Sequence, residues 1–329
     1  MFFRGGITLD ELNQVCGPFL KGPLPPNLLA QYASLDSPHK SGPLSLTILG
    51  RDSRFVPQGN VQAALILSET DLEVSFSSVP IFSISNARGC IRMLLLHFFD
   101  RIQYSVPFET GEGNQIDERA VVRGVLEGDV VVGAGAYIAP GCYVGKGTHI
   151  GPNVTLLPNV WVGRNCTLDS GAVLGSEGFG FLGSEGNLEP MPHLAGVKIG
   201  KECFIGANTV VAAGVLEPTE IGAGCKIDSH VQIAHNVQMG KGCLLASQSG
   251  IAGSTQIGDF FRLGGAASVS GHLRIGDGVS VAARSGVTKD LASGSIVAGF
   301  PARPIRDWRR REAILRRLED NLNLRRKDL

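Results

Sequence analysis

Net charge is the first thing the sequence lacks. Thirty basic and thirty acidic side chains in 329 residues leave a formal charge of zero, which argues against wholesale binding of a polyanion such as nucleic acid. Aromatics are few at 6%, but hydrophobic residues make up 43%, so the chain does not fit the disordered class, which combines few aliphatics with large net charge. Long apolar runs are missing too. The longest, Met93 to Phe99, is broken by His97 and flanked by Arg92 and Asp100, far short of the ~20 residues that cross a bilayer. The start, MFFRGGITLDELNQ, turns polar too early for the apolar core of a secretory signal, so the cytoplasm is the expected location. No CxxC pair occurs among the seven cysteines, which leaves buried structural thiols as the expectation rather than zinc ligands, disulfides or nucleophiles.

Glycine is in excess. Forty-four residues is about 13%, close to twice the usual ~7%, without the one-in-three spacing of collagen. Glycine weakens ordinary helices and strands, so an architecture that uses it is required. A repeat of six supplies one. Aliphatic anchors run from Val132, Ile138 and Val144 to Leu174, resume at Ile199, Ile205 and Val211, and continue from Ile221 through Ile227 and Ile233 to Val287. Neither a helix, with period 3.6, nor a simple strand, with period 2, repeats at six. Short strands that turn a corner every six residues do. The anchor fills the interior, a mostly small residue four places later packs near the corner, and glycine, frequent just after the anchor, relieves the turn. Five cysteines, Cys142, Cys166, Cys203, Cys225 and Cys243, take the small inward position, while Cys16 and Cys90 stand alone upstream.

Two interruptions break this register, a long one from 175 to 198 and an excess of four residues near Leu216 to Glu220. Insertions in solenoids map to loops on one face, often the binding face. Residues 1–112 lack the hexad. ITLDELNQVC and ARGCIRMLLLHFFDRI have helical spacing, and AALILSE and VPIFSIS look like strands, which predicts a small α/β domain. The β-helix is expected over 113–299, followed by a helical extension over 300–329. From Arg303 onward that extension holds ten basic and five acidic residues, with Trp308, Leu315, Leu318 and Leu322 on one face. It suits either packing at the end of the solenoid or docking of an acidic partner.

The segment IDSHVQIAHNVQMG, with GIAGST and SGHLRIGDG after it, gathers candidate chemistry. His235 lies two residues after anchor Ile233, near a corner. Gly253 is eighteen residues on, one coil above, and Gly271 stacks above that, with His272 beside it. Asp228, seven before His235, sits on the adjoining edge, where a carboxylate could hold an imidazole tautomer. A histidine with an orienting carboxylate and an exposed backbone N–H nearby is what acyl transfer to an amine or hydroxyl requires.

IAHNVQMG, GIAGST, SGHLRIGDGVSV, SGVTKDL and GFPARP, with GSEGFGF upstream, together resemble the UDP-3-O-acylglucosamine N-acyltransferase family of lipid A biosynthesis, whose repeats wind a left-handed parallel β-helix. The resemblance runs from about residue 115 to 320. It implies His235 as general base, Asp228 as its orienting partner, Gly253 as oxyanion-hole N–H and His272 as a second cleft histidine. It further implies substrate contacts from Gln232, Asn236, Phe179, Gly180, Phe181 and Lys289. The acyl donor would be carried on the phosphopantetheine of acyl carrier protein, the acceptor would be a UDP-sugar, and the assembly would be a homotrimer with clefts between subunits. No metal or other cofactor is implied. Two segments depart from the family. Leu46, Leu49 and Asp52 stand where a uracil grip of Phe, Asn and Tyr is expected, and VVAAG, from Val210 to Gly214, replaces IDRG. Two other readings stay open: a non-catalytic scaffold or transfer to another sugar nucleotide, and a zinc site of His193, His230 and His235 like that of γ-class carbonic anhydrases.

Overall fold

The computed structural model describes residues 2–22, 24, 28, 31–36, 45–49, 63, 65–68, 79–99, 109–184, 186–299, 306 and 309–318. From Gln115–Ile116 to Ile296–Val297 the chain is a solenoid of short strands. The strands stack into three faces of nine, eight and ten, and neighbours within a face run parallel. Residues eighteen apart pair, as in Gln232 with Gly250 and Gly250 with Ser268. Six residues per face and three faces per coil return every anchor to the same inner position. All the anchors from Val132 to Val287 are buried in one continuous core. Each buried Ile, Leu or Val contributes about 1.5–3 kcal/mol of hydrophobic stabilisation.

The corners are built differently from the sequence expectation. The left-handed backbone falls three residues after most anchors, and many of those positions are not glycine: Asn153, Asn165, Asn208, Asn236, Ser254 and His272 all have φ between 54° and 60°. Asparagine tolerates this region because its short amide bonds locally. The glycines just after the anchors answer a different need, close approach of the next coil. A Cβ at Gly145 would lie 2.6 Å from the backbone nitrogen of Arg164, so no side chain fits.

All seven cysteines are unpaired and buried. Register places Cys166, Cys203, Cys225 and Cys243 in successive coils of one face, as small inward fillers. Cys16 and Cys90, apart in sequence, meet between two helices with their sulfurs 3.0 Å apart.

Those helices belong to the N-terminal domain. Its sheet has the order β1 (Phe2–Thr8), β2 (Gln31–Asp36), β3 (Ser45–Leu49), β4 (Leu65–Ser68), β5 (Ile81–Ser83), with β1 antiparallel to β2 and the others parallel. Helix α1 (Leu9–Cys16) begins with a capping box, Thr8 and Glu11 each bonding the other's backbone N–H. Helix α2 (Ala87–His97) is capped by the side chain of Asn86. Leu46 is fully buried in this domain's core, so it packs inward. Asp52 lies outside the described residues. Residues 309–318 are helical, with Leu315 and Leu318 exposed on the single chain, while Trp308 and Leu322 lie outside the described residues.

Both interruptions of the repeat dock this domain. The long one forms a hairpin, Phe181–Ser184 paired antiparallel with Asn187–Pro190. Arg92 of α2 forms an ion pair with Glu189 at 2.9 Å and donates to the Pro190 carbonyl. Leu194 from the long insertion, and Val215 and Leu216 from the short one, pack against the N-terminal core.

Candidate active site

The short insertion also props up His235. Asn236, at a left-handed corner, donates from Nδ2 to the Glu217 carbonyl at 3.0 Å and accepts from the Val215 N–H through Oδ1 at 3.2 Å. Its own N–H donates to Thr219 Oγ1 at 2.9 Å. These bonds assign the amide's orientation, with the oxygen 3.3 Å from Nδ1 of His235. An amide oxygen only accepts, so Nδ1 carries the proton and Nε2 is left with its lone pair. The insertion therefore selects the tautomer of a base. Gly214 makes this possible, since a Cβ there would overlap the Glu217 carbonyl and press within 2.9 Å of Asn236 Nδ2.

On the other side, Gly253 lies against the reactive edge. A Cβ there would sit 2.7 Å from both Cε1 and Nε2 of His235. The Gly253 carbonyl accepts from the His272 N–H at 3.0 Å, whereas among the described residues its own N–H donates to no backbone carbonyl. A lone-pair nitrogen beside an unused backbone donor can take a proton while the donor stabilises a developing oxyanion.

The third component comes from the long insertion, which sequence reading placed out of register. His193, 5% exposed, meets His235 with ring centroids 4.9 Å apart and planes at 60°. Gly178 and Gly180 lie close over the pair: a Cβ at Gly178 would lie 2.6 Å from His193 Nε2 and 2.7 Å from His235 Cβ. Burial, then the neighbouring His235 charge, push the His193 imidazole down to about 4, opposed by the Met191 backbone. Neither of its ring nitrogens has a partner within hydrogen-bond geometry, an arrangement that costs about 1–3 kcal/mol for each buried unsatisfied group.

The other expected residues are placed as follows. Asp228 does not reach His235 within the chain. Seven residues put it on the next edge of the triangle, where its carboxylate accepts from the Ser229 N–H at 2.7 Å and the Ser247 N–H at 3.1 Å. Asn236 takes the orienting place behind the base, not a substrate-facing one. His272 is exposed at a corner two coils above Asn236, and Lys289 is exposed in the His235 column, three coils up by register. Gln232 is exposed on the strand before His235, its Nε2 3.4 Å from the Ile233 carbonyl. Phe179, 91% exposed, and Phe181 meet edge to face at 5.2 Å beside Gly178 and Gly180. His230 is exposed at a different corner from His235, and among the described residues no cluster of three or more His, Cys, Asp or Glu could hold a metal ion. Of the zinc reading's three imidazoles, His193 and His235 meet but His230 does not join them within the chain.

The bacterial transferase hexapeptide signature (six repeats) matches residues 125–158, 141–176 and 218–253, and the hexapeptide repeat of succinyl-transferase matches 196–231. A UDP-3-O-acylglucosamine N-acyltransferase from Pseudomonas putida is 36% identical over 95% of this chain and 92% of its own length. The chain belongs to the UDP-3-O-acylglucosamine N-acyltransferase family. The likeness to that family spans the N-terminal domain as well as the solenoid, since a match over 95% of the chain leaves no room for the solenoid alone. Two further proteins of the same description are similar over shorter stretches. One, from a second strain of Pseudomonas putida, is 46% identical over 58% of this chain and 51% of its own length. Another, from Pseudomonas savastanoi, is 38% identical over 48% of this chain and 46% of its own.

Proposed function

We propose that the chain transfers a 3-hydroxyacyl group from acyl carrier protein to the 2-amino group of a UDP-3-O-acyl-glucosamine, in lipid A biosynthesis, with His235 as general base. Nε2 of His235 takes a proton from the amine as the amine nitrogen attacks the thioester carbonyl. The carbonyl oxygen becomes an oxyanion against the Gly253 N–H. Collapse re-forms the carbonyl, breaks the carbon–sulfur bond and returns the proton from His235 to the departing phosphopantetheine thiolate. Atoms and charge balance without a covalent acyl-enzyme. The observation that carries this reading is the His235 ring, with Nδ1 3.3 Å from the Asn236 amide oxygen and its Nε2 edge against Gly253.

Other groups support the same reading at a distance. Phe179 and Phe181 give the mouth an apolar edge suited to an acyl chain, with Gly180 between them. His272 and Lys289, exposed in the coils above the base, suit contact with a phosphate-bearing carrier arm, and Gln232, exposed on the strand before His235, suits contact with the acceptor. The basic C-terminal segment complements an acidic carrier protein. Asp228 fits the scheme through assembly: on the adjoining edge, it can serve the His235 of a neighbouring chain in a homotrimer, its carboxylate still having acceptor sites beyond the two backbone bonds.

The test is acyl transfer measured with purified carrier protein and sugar nucleotide. Wild type turns over, and His235→Ala loses about 10²- to 10⁴-fold. Absence of transfer by wild type, or equal rates for the two, would falsify the proposal.

A further inference from the structure

His193 has no assigned role, yet it is buried tightly against the base. It is buried, both ring nitrogens are without hydrogen-bond partners, its imidazole leans on that of His235, and two glycines close over it. A leucine or phenylalanine in this place would fill space without stranding polar atoms. The charged and polar groups acting on it are few: the His235 ring, the Met191 backbone and the backbone of Gly178 and Gly180, with no other ionisable side chain contributing among the described residues. His193 thus stays uncharged when His235 gains a proton, and does not compete for it.

We propose that His193 is a positioning residue for His235, its imidazole fixing the plane of the base's ring and its ring nitrogens giving His235 a polar flank when it carries the substrate's proton. This rests on the acyl-transfer reading above. The long insertion then has two duties, docking the N-terminal domain through its hairpin and bracing the base through His193. Fixing the ring matters because misplacement of a reacting group by about 1 Å can cost 10²-fold in rate.

The experiment compares wild type, His235→Ala, His193→Phe and His193→Gln in the transfer assay, with melting curves for each. Wild-type turnover and its loss in His235→Ala establish the reaction first; failure at that stage rejects the acyl-transfer reading, not the role of His193. With the reaction established, His193→Phe keeps a ring but no nitrogens. It lowers kcat about 10-fold or more and leaves KM for both substrates within about 3-fold. His193→Gln keeps an uncharged polar group and stays within about 3-fold of wild type. Wild-type kcat in His193→Phe would overturn the proposal, as would a loss confined to KM. If His193→Phe does not fold, His193→Leu is read by the same criteria.

Discussion

Above His235 the solenoid is regular and below it is not. In the face that carries His235, pairing steps upward by eighteen residues from Gln232 to Gly250 to Ser268, but below by twenty-two, from Val210 to Gln232, and by thirty-seven, from Val173 to Val210. The regular coils supply a rigid column in which Gly253 sits one level above the base. The irregular coils supply what regular ones cannot: Asn236 held by the 214–219 turn, and His193 with Gly178 and Gly180 from the long insertion. The period builds the scaffold, and its two failures converge on one side chain. Catalytic groups need supports from several directions, and a strict repeat offers only the neighbours directly above and below.

The largest effect expected from breaking this comparison lies across subunits. His235→Ala and Asp228→Ala, on different edges of the coil, each depress transfer, His235→Ala by about 10²- to 10⁴-fold. If the proposed trimer shares its clefts between chains, co-refolded mixtures of the two variants recover a fraction of wild-type turnover, because some clefts then pair an intact His235 with an intact Asp228 from its neighbour. No recovery in mixed assemblies would place both in one chain's site or remove Asp228 from it.

A second effect tests the regular side alone. Gly253→Ala puts a methyl 2.7 Å from His235 Nε2, so the ring must turn aside. A kcat loss of about 10²-fold is expected with little change in melting temperature, because the position has ordinary backbone angles and the neighbour that moves is a side chain. Unchanged kcat would mean that the Gly253 edge is not where the chemistry occurs.

The smallest effect concerns acid stability on the irregular side. His193 is held at about 4, below the ordinary histidine value of about 6.5. As pH falls from about 6.5 toward 4, the unfolded chain takes up a proton that the folded chain refuses, so stability falls across that window and not above it. His193→Gln removes this contribution. Its melting temperature relative to wild type should rise by a few degrees between pH 7 and pH 5, and a constant difference would show that His193 protonates freely in the folded state.

Much of this was legible in the sequence, for physical reasons. A six-residue period shows which residues face inward, because burial depends on position within the repeat, and every anchor from Val132 to Val287 is in the core. His235 and Gly253 stack because eighteen residues make one coil. The rest depends on segments where the count fails. His193 lies in the long insertion, whose path is set by docking against α2 and not by the period, so the sequence joined it to His235 only through the zinc reading and not as a ring packed on the base. Asn236 looked substrate-facing because its neighbours Val215 and Glu217 lie in the inserted turn. Asp228 looked close to His235 because seven residues is little more than one repeat, yet that step crosses an edge. The glycines were right in number and partly wrong in purpose, since those after the anchors admit the next coil while the left-handed corner comes two residues later.

The direction of the proton on His235 tests the account most directly. Nitrogen-15 NMR of ring-labelled histidine, with His235→Ala used for assignment, reads the tautomer at a pH where the ring is neutral. The structure predicts Nδ1 protonated and Nε2 bare in wild type, and a mixture of tautomers in Asn236→Ala, where the inserted turn no longer presents an amide oxygen. A wild-type ring protonated on Nε2 would contradict it.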